Sequence, residues 1–483
     1  MTKSRGFFAL VAIFIAPYFF ALVISKFQLR LPPDFWSLIV KSLAQAAGSS
    51  LAALALGGIG AVGLLGRSKR WETLALAPVA APAIAIVLGF MTLFPQWRGL
   101  SAVIAAHAVS SAGLVSVVLA RQIRSSLGGS LELAWTEGAS RTMIWRRGIL
   151  PALKTDISRL LLTIFAASLA SFSIPLMLAG SDMVAVEIAI HHAIRFENAW
   201  DVAAALSLFQ WLMLLLLVFV LRSPVESNRK SESDLRSEVG RILGFDAGLI
   251  AVLIAPCMIL FSLLHAPKLG FAQLESAHLF EHASILSLAL KGSIVTATIA
   301  GLLSGLILIA FAACRPTRRQ RFWLSGYVAP SVAITGFATL VIGWGRDPSF
   351  ALDSIRIAVG AALLFTPVIW RLRWEQAVAR LDRQLKIAQT LGATSGMIFW
   401  RVLLPQLREL LFWSGGVISF WVWGDYALGS ISASRSMTLG MLAKALLESY
   451  RVEAASLVVL ACLIFGAISY RIFQVGGVAR VAR

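Results

Sequence analysis

The chain has 483 residues, of which 58% are hydrophobic and 14% are charged, and its mean hydropathy is +0.81. Soluble proteins carry about 25% charged residues, so this composition excludes a soluble enzyme, a disordered chain and a secreted disulfide scaffold. The net charge of +19 would suggest a nucleic-acid partner in a soluble chain, but membrane proteins place such an excess in their cytoplasmic loops, so we expect no nucleic-acid partner.

Twelve apolar segments are each long enough to cross a bilayer as a helix, which takes about 20 residues. We therefore predict an all-α integral membrane protein with about twelve transmembrane helices in two parallel six-helix repeats. The first segment lacks a clear small-residue cleavage site, so we expect a retained anchor rather than a signal peptide. In chain order the segments are 6–25, 39–66, 74–94, 101–120, 157–179, 202–221, 242–264, 284–313, 324–344, 354–370, 409–429 and 455–470.

The distribution of positive charge predicts which loops are cytoplasmic. With the N-terminus inside, 31 of the 43 Lys and Arg residues fall in the segments on the inner side of the twelve predicted helices. Lys and Arg favour cytoplasmic loops. The chain is therefore predicted to be multi-pass, with both termini in the cytoplasm.

One polar stretch divides the apolar segments into two sets of six. Residues 222–241 are rich in Ser, Glu and Arg and contain no aromatic residue, which is typical of a flexible linker. We predict a first half over 1–221, this cytoplasmic linker, and a second half over 242–483. Six crossings return the chain to the same side, so the two halves would be parallel repeats, an arrangement used in transport.

Two inner loops, 128–151 and 381–405, carry the strongest internal similarity. Residues 134–151 and 388–405 agree at nine of eighteen positions with an offset of 254. A glycine that allows a turn is followed thirteen residues later by a proline, which is tolerated in the first turn of a helix. Each loop is thus predicted to form a helix–glycine–helix element on the cytoplasmic surface. A helix that only anchors to lipid is the alternative.

These loops resemble a motif of the membrane subunits of binding-protein-dependent ABC importers, E-A-A-x-x-x-G followed by I-x-L-P. The resemblance covers most of the chain, which is similar to the fused two-half permeases of the thiamine and ferric-iron importers. The second loop departs from the motif, with Lys386 where the first has Glu132. The positions that match or stand in for the motif are Glu132, Ala134, Gly138, Ala139, Leu150, Pro151, Lys386, Ala388, Gly392, Ala393, Leu404 and Pro405.

The resemblance implies that each loop docks onto one of two ATP-binding subunits at the cytoplasmic face of a bacterial inner membrane. It also implies a periplasmic substrate-binding protein that delivers the solute. The chain itself contains no Gly-Lys dipeptide and so no G-x-x-x-x-G-K-[ST] phosphate loop. We therefore expect ATP and Mg to be bound by the partner subunits, with no cofactor and no metal in this chain.

The translocation pathway is predicted less directly. Polar and ionisable residues inside spans are costly, and the pathway candidates are Ser168, Ser171, Trp423 and Asp425. The alternatives are helix packing for the two serines, an interfacial or packing aromatic for Trp423, and an interfacial acid at a helix end for Asp425. Residues 165–180 are similar to thiamine-permease sequence, so thiamine is the favoured substrate, followed by ferric iron or another small solute.

Two other classes of function are kept open by the sequence. An ion-coupled secondary transporter with twelve spans would want buried carboxylates in mid-span, and the sequence offers few. A membrane enzyme acting on lipid would need acids, histidines or metal ligands that converge at one interface, and no such cluster is evident.

Overall fold

The computed structural model describes residues 2–124, 133–180, 185–221, 246–265, 283–317, 320–321 and 331–478. All regular secondary structure in these ranges is helical. Seven helices are long and apolar enough to cross a membrane, or eight if one bent pair counts as a single span. The all-helical, multi-pass membrane class is therefore supported, while the twelve spans and the two repeats stay predictions. The linker 222–241 lies outside the described residues.

The helices are numbered here in chain order. The first nine are α1 (Thr2–Ile24), α2 (Phe35–Leu64), α3 (Lys69–Ala80), α4 (Ala83–Leu93), α5 (Leu100–Gln122), α6 (Leu150–Leu169), α7 (Ser173–Leu178), α8 (Val186–Arg195) and α9 (Trp200–Leu221). The next nine are α10 (Gly248–Leu263), α11 (Ala283–Ala313), α12 (Val332–Thr339), α13 (Phe350–Ile369), α14 (Glu375–Thr390), α15 (Leu404–Trp423), α16 (Ala427–Ser432), α17 (Leu439–Glu448) and α18 (Val452–Val478).

One compact unit, here called the first unit, comprises Asp34–Val186 and Phe219–Ala266. In it α2 packs along α5 and α6, and α10 packs against α2 and α4. Helices α3 and α5 approach closely at Gly113, where a Cβ would clash with the carbonyl oxygen of Ala75. The buried core includes Leu64, Leu65, Val115, Ile123, Ile144, Ile149 and Leu153.

The second unit comprises Met1–Pro33, Glu187–Val218 and Pro267–Arg483. Here α15 packs between α11 and α18, α11 also contacts α13, and α1 contacts α12. The indole Nε1 of Trp374 is buried and donates a hydrogen bond to Ser414 Oγ at 2.7 Å. This bond fixes the segment that follows α13 to the middle of α15.

The predicted third span, 74–94, is bent. Helices α3 and α4 meet at 90° across Ala81 and Pro82. Proline lacks the N–H that would continue the helix, and the residue before it is driven to extended backbone, which Ala81 adopts with ψ 144°. The apolar run is therefore two short helices, and a single straight helix is the wrong expectation there.

The predicted spans 157–179 and 409–429 are also interrupted. Helix α6 ends at Leu169 and α15 ends at Trp423, and each is followed by a six-residue helix, α7 or α16. The first seven residues of the predicted span 324–344 lie outside the described residues, and its described part is the short helix α12 followed by turns.

Candidate functional site

The two loops singled out from the sequence each turn at a glycine in the left-handed conformation. We call residues 133–151 the first elbow and 387–405 the second elbow. Gly138 has φ +81° and Gly392 has φ +78°. The amide of Ala139 donates to the Ala134 carbonyl at 3.0 Å, and Ala393 donates to Ala388 at the same distance. Glycine adopts this backbone without the steric cost of a side chain, so both turns depend on it.

A hydroxyl residue begins the next helical segment in each elbow. Ser140 Oγ accepts a hydrogen bond from the Met143 amide at 3.3 Å, and Thr394 Oγ1 accepts one from the Met397 amide at 3.3 Å. Such an N-cap satisfies an amide that has no partner within its own helix. The two caps set the direction in which the chain leaves each glycine.

A wide helical turn then precedes each proline. Residues Ile144–Ile149 and Phe399–Leu403 are π-helical, and the Leu150 and Leu404 amides donate to the carbonyls five residues earlier. A proline inside a helix lacks an N–H and its ring clashes with a carbonyl of the preceding turn. Widening that turn relieves the clash, so Pro151 and Pro405 lie in the first turns of α6 and α15 without breaking the helical path.

Each elbow has an apolar side turned inward and an open side turned outward. The Ala residues beside each glycine are half-buried, while Leu133, Ile387, Met143 and Met397 are exposed. At the inner side, six residues at matching positions are at most 3% exposed, namely Ile144, Ile149, Leu153, Ile398, Leu403 and Leu407. The elbows are therefore attached to the helical core of their own unit, the first elbow in the first unit and the second in the second.

The first elbow is close in sequence to a buried ion-pair cluster of the first unit. Glu72 on α3 is paired with Arg121 and Arg124, and the side chains of Glu72 and Arg124 are 2% and 0% exposed. Arg124 also donates to the Leu64 and Leu65 carbonyls at the end of α2. One arginine thus joins the ends of α2, α3 and α5, and its charge is matched by the carboxylate.

The helix that leads into the second elbow has a more exposed ion pair. Arg321 Nη1 lies 2.7 Å from Asp382 Oδ2 on α14, and the Asp382 side chain is 39% exposed. Within the second unit this pair connects α14 to the segment at 320–321.

Most of the predicted coupling residues lie in these elbows. Lys386 is exposed near the end of α14, Leu150 is exposed and Leu404 is half-buried. Lys386 lies one residue before the second elbow, and Glu132, the acid of the first motif, lies outside the described residues together with 128–131.

The predicted pathway residues divide between the two units. Ser168 in the first unit is 2% exposed, and its carbonyl accepts from Gln45 Nε2 at 3.2 Å, while Ser171 is half-buried. In the second unit Trp423 is 4% exposed and stacks on Phe465 with ring centroids 5.6 Å apart, which is packing.

Asp425, the remaining pathway candidate, lies in the break between α15 and α16. It is half-buried, and its Oδ2 accepts from the Leu428 amide at 3.3 Å. With the offset of 254 it corresponds to Ser171, which lies in the break between α6 and α7. The two residues therefore occupy matching positions in their units, one with a carboxylate and one with a hydroxyl.

A buried acid was missed by reasoning from the sequence. Glu187 at the start of α8 is 0% exposed. One carboxylate oxygen accepts from Gln210 Nε2 at 3.1 Å and the other from Ser331 Oγ at 2.7 Å. Burial raises the pKa of this carboxyl to about 6. Its signal in the sequence was a single acid in an apolar run, which does not reveal partners 23 and 144 residues away.

Among the described residues, no group of three or more His, Cys, Asp and Glu side chains is arranged to hold a metal ion. Comparison of the chain with family models, with curated proteins and with solved structures finds no match. The repeated geometry of the elbows is therefore the feature of the chain that points to a function.

Proposed function

We propose that the chain is the membrane permease of an ATP-driven importer in a bacterial inner membrane. In this proposal each elbow docks onto one of two ATP-binding subunits, which bind ATP and Mg. A periplasmic binding protein delivers the solute, and the two halves form its pathway. Thiamine is the first substrate to test, and ferric iron or another small solute is next.

The observation that carries the proposal is the repeated construction of the two elbows. A left-handed glycine, a hydroxyl cap, a π-helical turn and a proline follow in the same order at an offset of 254. A single lipid-anchoring helix does not require any of these features. A rigid turn joined to a long helix would allow the loop to transmit a displacement of a docked partner to the helices in the membrane.

The order of helices also supports two parallel halves. After each elbow come a long helix, a six-residue helix, a ten-residue helix and a long apolar helix, as α6 to α9 and as α15 to α18. The same sequence of lengths on both sides of the linker is expected of a duplicated unit.

The test uses the open space beside the two glycines. A Cβ at Gly138 or Gly392 would meet no other atom of the described residues within 4 Å. The same is true of Gly345, which has φ +77° and lies outside both elbows. The substitutions Gly138→Trp, Gly392→Trp and Gly345→Trp therefore impose a similar backbone strain, about 1–2 kcal/mol, and differ in what the indole faces.

The chain would be reconstituted in proteoliposomes with ATP-binding and substrate-binding subunits encoded beside it. We expect Gly138→Trp and Gly392→Trp to lower substrate-stimulated ATP hydrolysis by at least about tenfold, because the indole fills the space that a partner surface would occupy. Gly345→Trp should retain the activity. Unchanged ATP turnover in both elbow variants would contradict the proposed coupling, and uptake assays with labelled thiamine would test the substrate.

The alternative, an ion-coupled secondary transporter, gains one observation from the buried carboxyl of Glu187, since such carriers use buried acids as relays. Both oxygens of this carboxyl are engaged by Gln210 and Ser331, which suits an anchor for α12. If the chain is an importer subunit, we expect the Glu187→Gln variant to retain ATP-driven uptake. Gradient-driven uptake by the chain alone, abolished by Glu187→Gln, would favour the secondary transporter instead.

A further inference from the structure

A cavity of about 650 Å³ opens within the second unit where apolar helices end. Helix α1 ends at Ile24, α9 begins at Trp200 and α12 ends at Thr339. The volume is typical of sites for small ligands, which occupy roughly 300–1,000 Å³. The cavity shares no lining residue with either elbow, so what it binds is a separate question from the coupling of ATP hydrolysis.

One wall of the cavity is aromatic. The Trp200 ring meets Phe20 edge to face at 5.7 Å and Phe337 at 5.9 Å, and Trp344 at the mouth is 71% exposed. Tryptophan is enriched at the level where the hydrocarbon of a bilayer meets the headgroups. The wall therefore offers a flat apolar surface to a ring or an acyl chain at that level.

The polar rim has more donors than free acceptors. The Asn198 side-chain oxygen accepts from Trp200 Nε1 at 3.2 Å, and Asp201 Oδ2 pairs with Arg30 Nε at 3.1 Å. Lys26 lines the cavity, is exposed, and makes no ion pair with the described part of the chain. The ammonium of Lys26 and the amide NH₂ of Asn198 are thus left to bind an anion.

The backbone is strained at the same two residues. Lys26 has φ +54°, its neighbour Phe27 has φ +59° and Asn198 has φ +52°, and Lys26 and Asn198 each follow the end of a helix where glycine would fit without steric cost. Strained positions of this kind persist where the surrounding structure or a function requires the side chain. At both positions a side chain with a donor replaces the glycine that the turn alone would favour.

We propose that this cavity binds an anionic amphiphile, with a phosphate group held by Lys26 and Asn198 and an apolar part lying against Trp200 and Phe337. A phospholipid headgroup and a soluble aromatic phosphate share this chemistry. The position at the ends of apolar helices, beside two tryptophans of the kind enriched at the headgroup level, favours the lipid.

The test is native mass spectrometry of the delipidated full chain in detergent. Dioctanoyl phosphatidylglycerol, dioctanoyl phosphatidylcholine and phenyl phosphate are titrated separately. We expect preferential binding of the phosphatidylglycerol, with affinity lowered about tenfold by Lys26→Gln, which removes a charge-assisted hydrogen bond, and retained by Lys26→Arg. Trp200→Leu should also weaken binding.

Arg346→Gln is the matched control, because Arg346 is exposed on the same loop as Trp344 and does not line the cavity. Tight binding of phenyl phosphate that is lost in Lys26→Gln supports the site with a soluble ligand. Two results overturn the proposal, namely absence of binding by all three probes, or equal weakening by Lys26→Gln and Arg346→Gln. Retained binding in Lys26→Arg separates loss of charge from loss of folding.

Discussion

The first elbow presents charged side chains at positions where the second presents apolar ones. Glu137 and Arg146 in the first correspond, at the offset of 254, to Leu391 and Trp400 in the second. Leu391 is 80% exposed and Trp400 is 66% exposed, although both are large and apolar. The glycines and the apolar character of the buried positions are alike in the two elbows, and several exposed positions are identical as well, among them Met143 and Met397. The two elbows therefore differ in chemistry over only a part of their outer side, around Glu137 and Arg146 in the first and Leu391 and Trp400 in the second.

The two ion pairs that lie closest in sequence to the elbows also differ, in how far they are buried. The Glu72 carboxylate in the first unit is buried with Arg124, while Asp382 in the second is 39% exposed beside Arg321. Removing one member of a buried pair leaves an uncompensated charge, which water cannot relieve. The two ion pairs are therefore expected to be of unequal consequence for stability.

The largest effect is expected from Glu72→Gln. It should lower the free energy of unfolding by about 3–5 kcal/mol, because the buried Arg124 loses its counter-charge. Asp382→Asn should cost at most about 1 kcal/mol, since that pair is accessible to solvent. Unfolding of the purified chain in mixed micelles measures both, and equal losses would show that the difference in burial does not matter.

The second effect concerns docking. Replacing both apolar residues of the second elbow, Leu391→Ala with Trp400→Ala, should weaken binding of an ATP-binding subunit by about a hundredfold or more, because each large apolar side chain gains about 1.5–3 kcal/mol on burial. The matched change in the first elbow, Glu137→Ala with Arg146→Ala, should weaken it less than about fivefold. Surface plasmon resonance with the chain in nanodiscs measures both affinities. A larger loss of affinity for the substitutions in the first elbow than for those in the second would refute a mainly apolar contact at the second elbow.

The third and smaller predicted effect is a difference between the two elbows in how strongly salt weakens their contact with a partner. Raising the ionic strength from 0.05 to 0.5 M shortens the screening length from roughly 14 to 4 Å, which weakens contacts made by exposed charges. The yield of cross-linking to a partner at the position of Met143 in the first elbow should fall as the salt concentration rises. The yield at the position of Met397 in the second elbow should stay unchanged. Equal salt dependence would mean that the surface charges of the first elbow do not contact the partner.

The smallest effect tests what the elbows share. Ser140→Ala and Thr394→Ala should each cost about 1 kcal/mol of local stability, because each removes one N-cap hydrogen bond of 3.3 Å. Hydrogen exchange of the Met143 and Met397 amides should then accelerate by a similar factor of roughly five. A clear difference between the two factors would argue against a common construction.

The sequence could predict the parts of the elbows that depend on residue type. Gly138, Gly392 and the two prolines were evident from identity at one offset, and Ser140 and Thr394 are both residues that favour caps. The π-helical turns were not predictable, because they arise from relief of a clash with proline that the helical pattern alone does not encode.

Long-range features were beyond the sequence for a different reason. The pairing of Glu72 with Arg124 joins residues 52 positions apart, and Glu187 binds Ser331 across 144 positions. The periodicity of apolar residues along the sequence carries no information about side-chain contacts between residues so far apart. The bend between α3 and α4 did have a local signal in Ala81-Pro82, but hydrophobicity averaged over 74–94 conceals it.

The empty volume beside Gly138 and Gly392 has a practical consequence for following motion. A nitroxide or fluorophore attached through a cysteine at either glycine would extend away from the described helices instead of disturbing their packing. Paired labels at these two positions would report, by dipolar spectroscopy, the distance between the elbows in the chain without partners, where a bulky group at either glycine obstructs no docking.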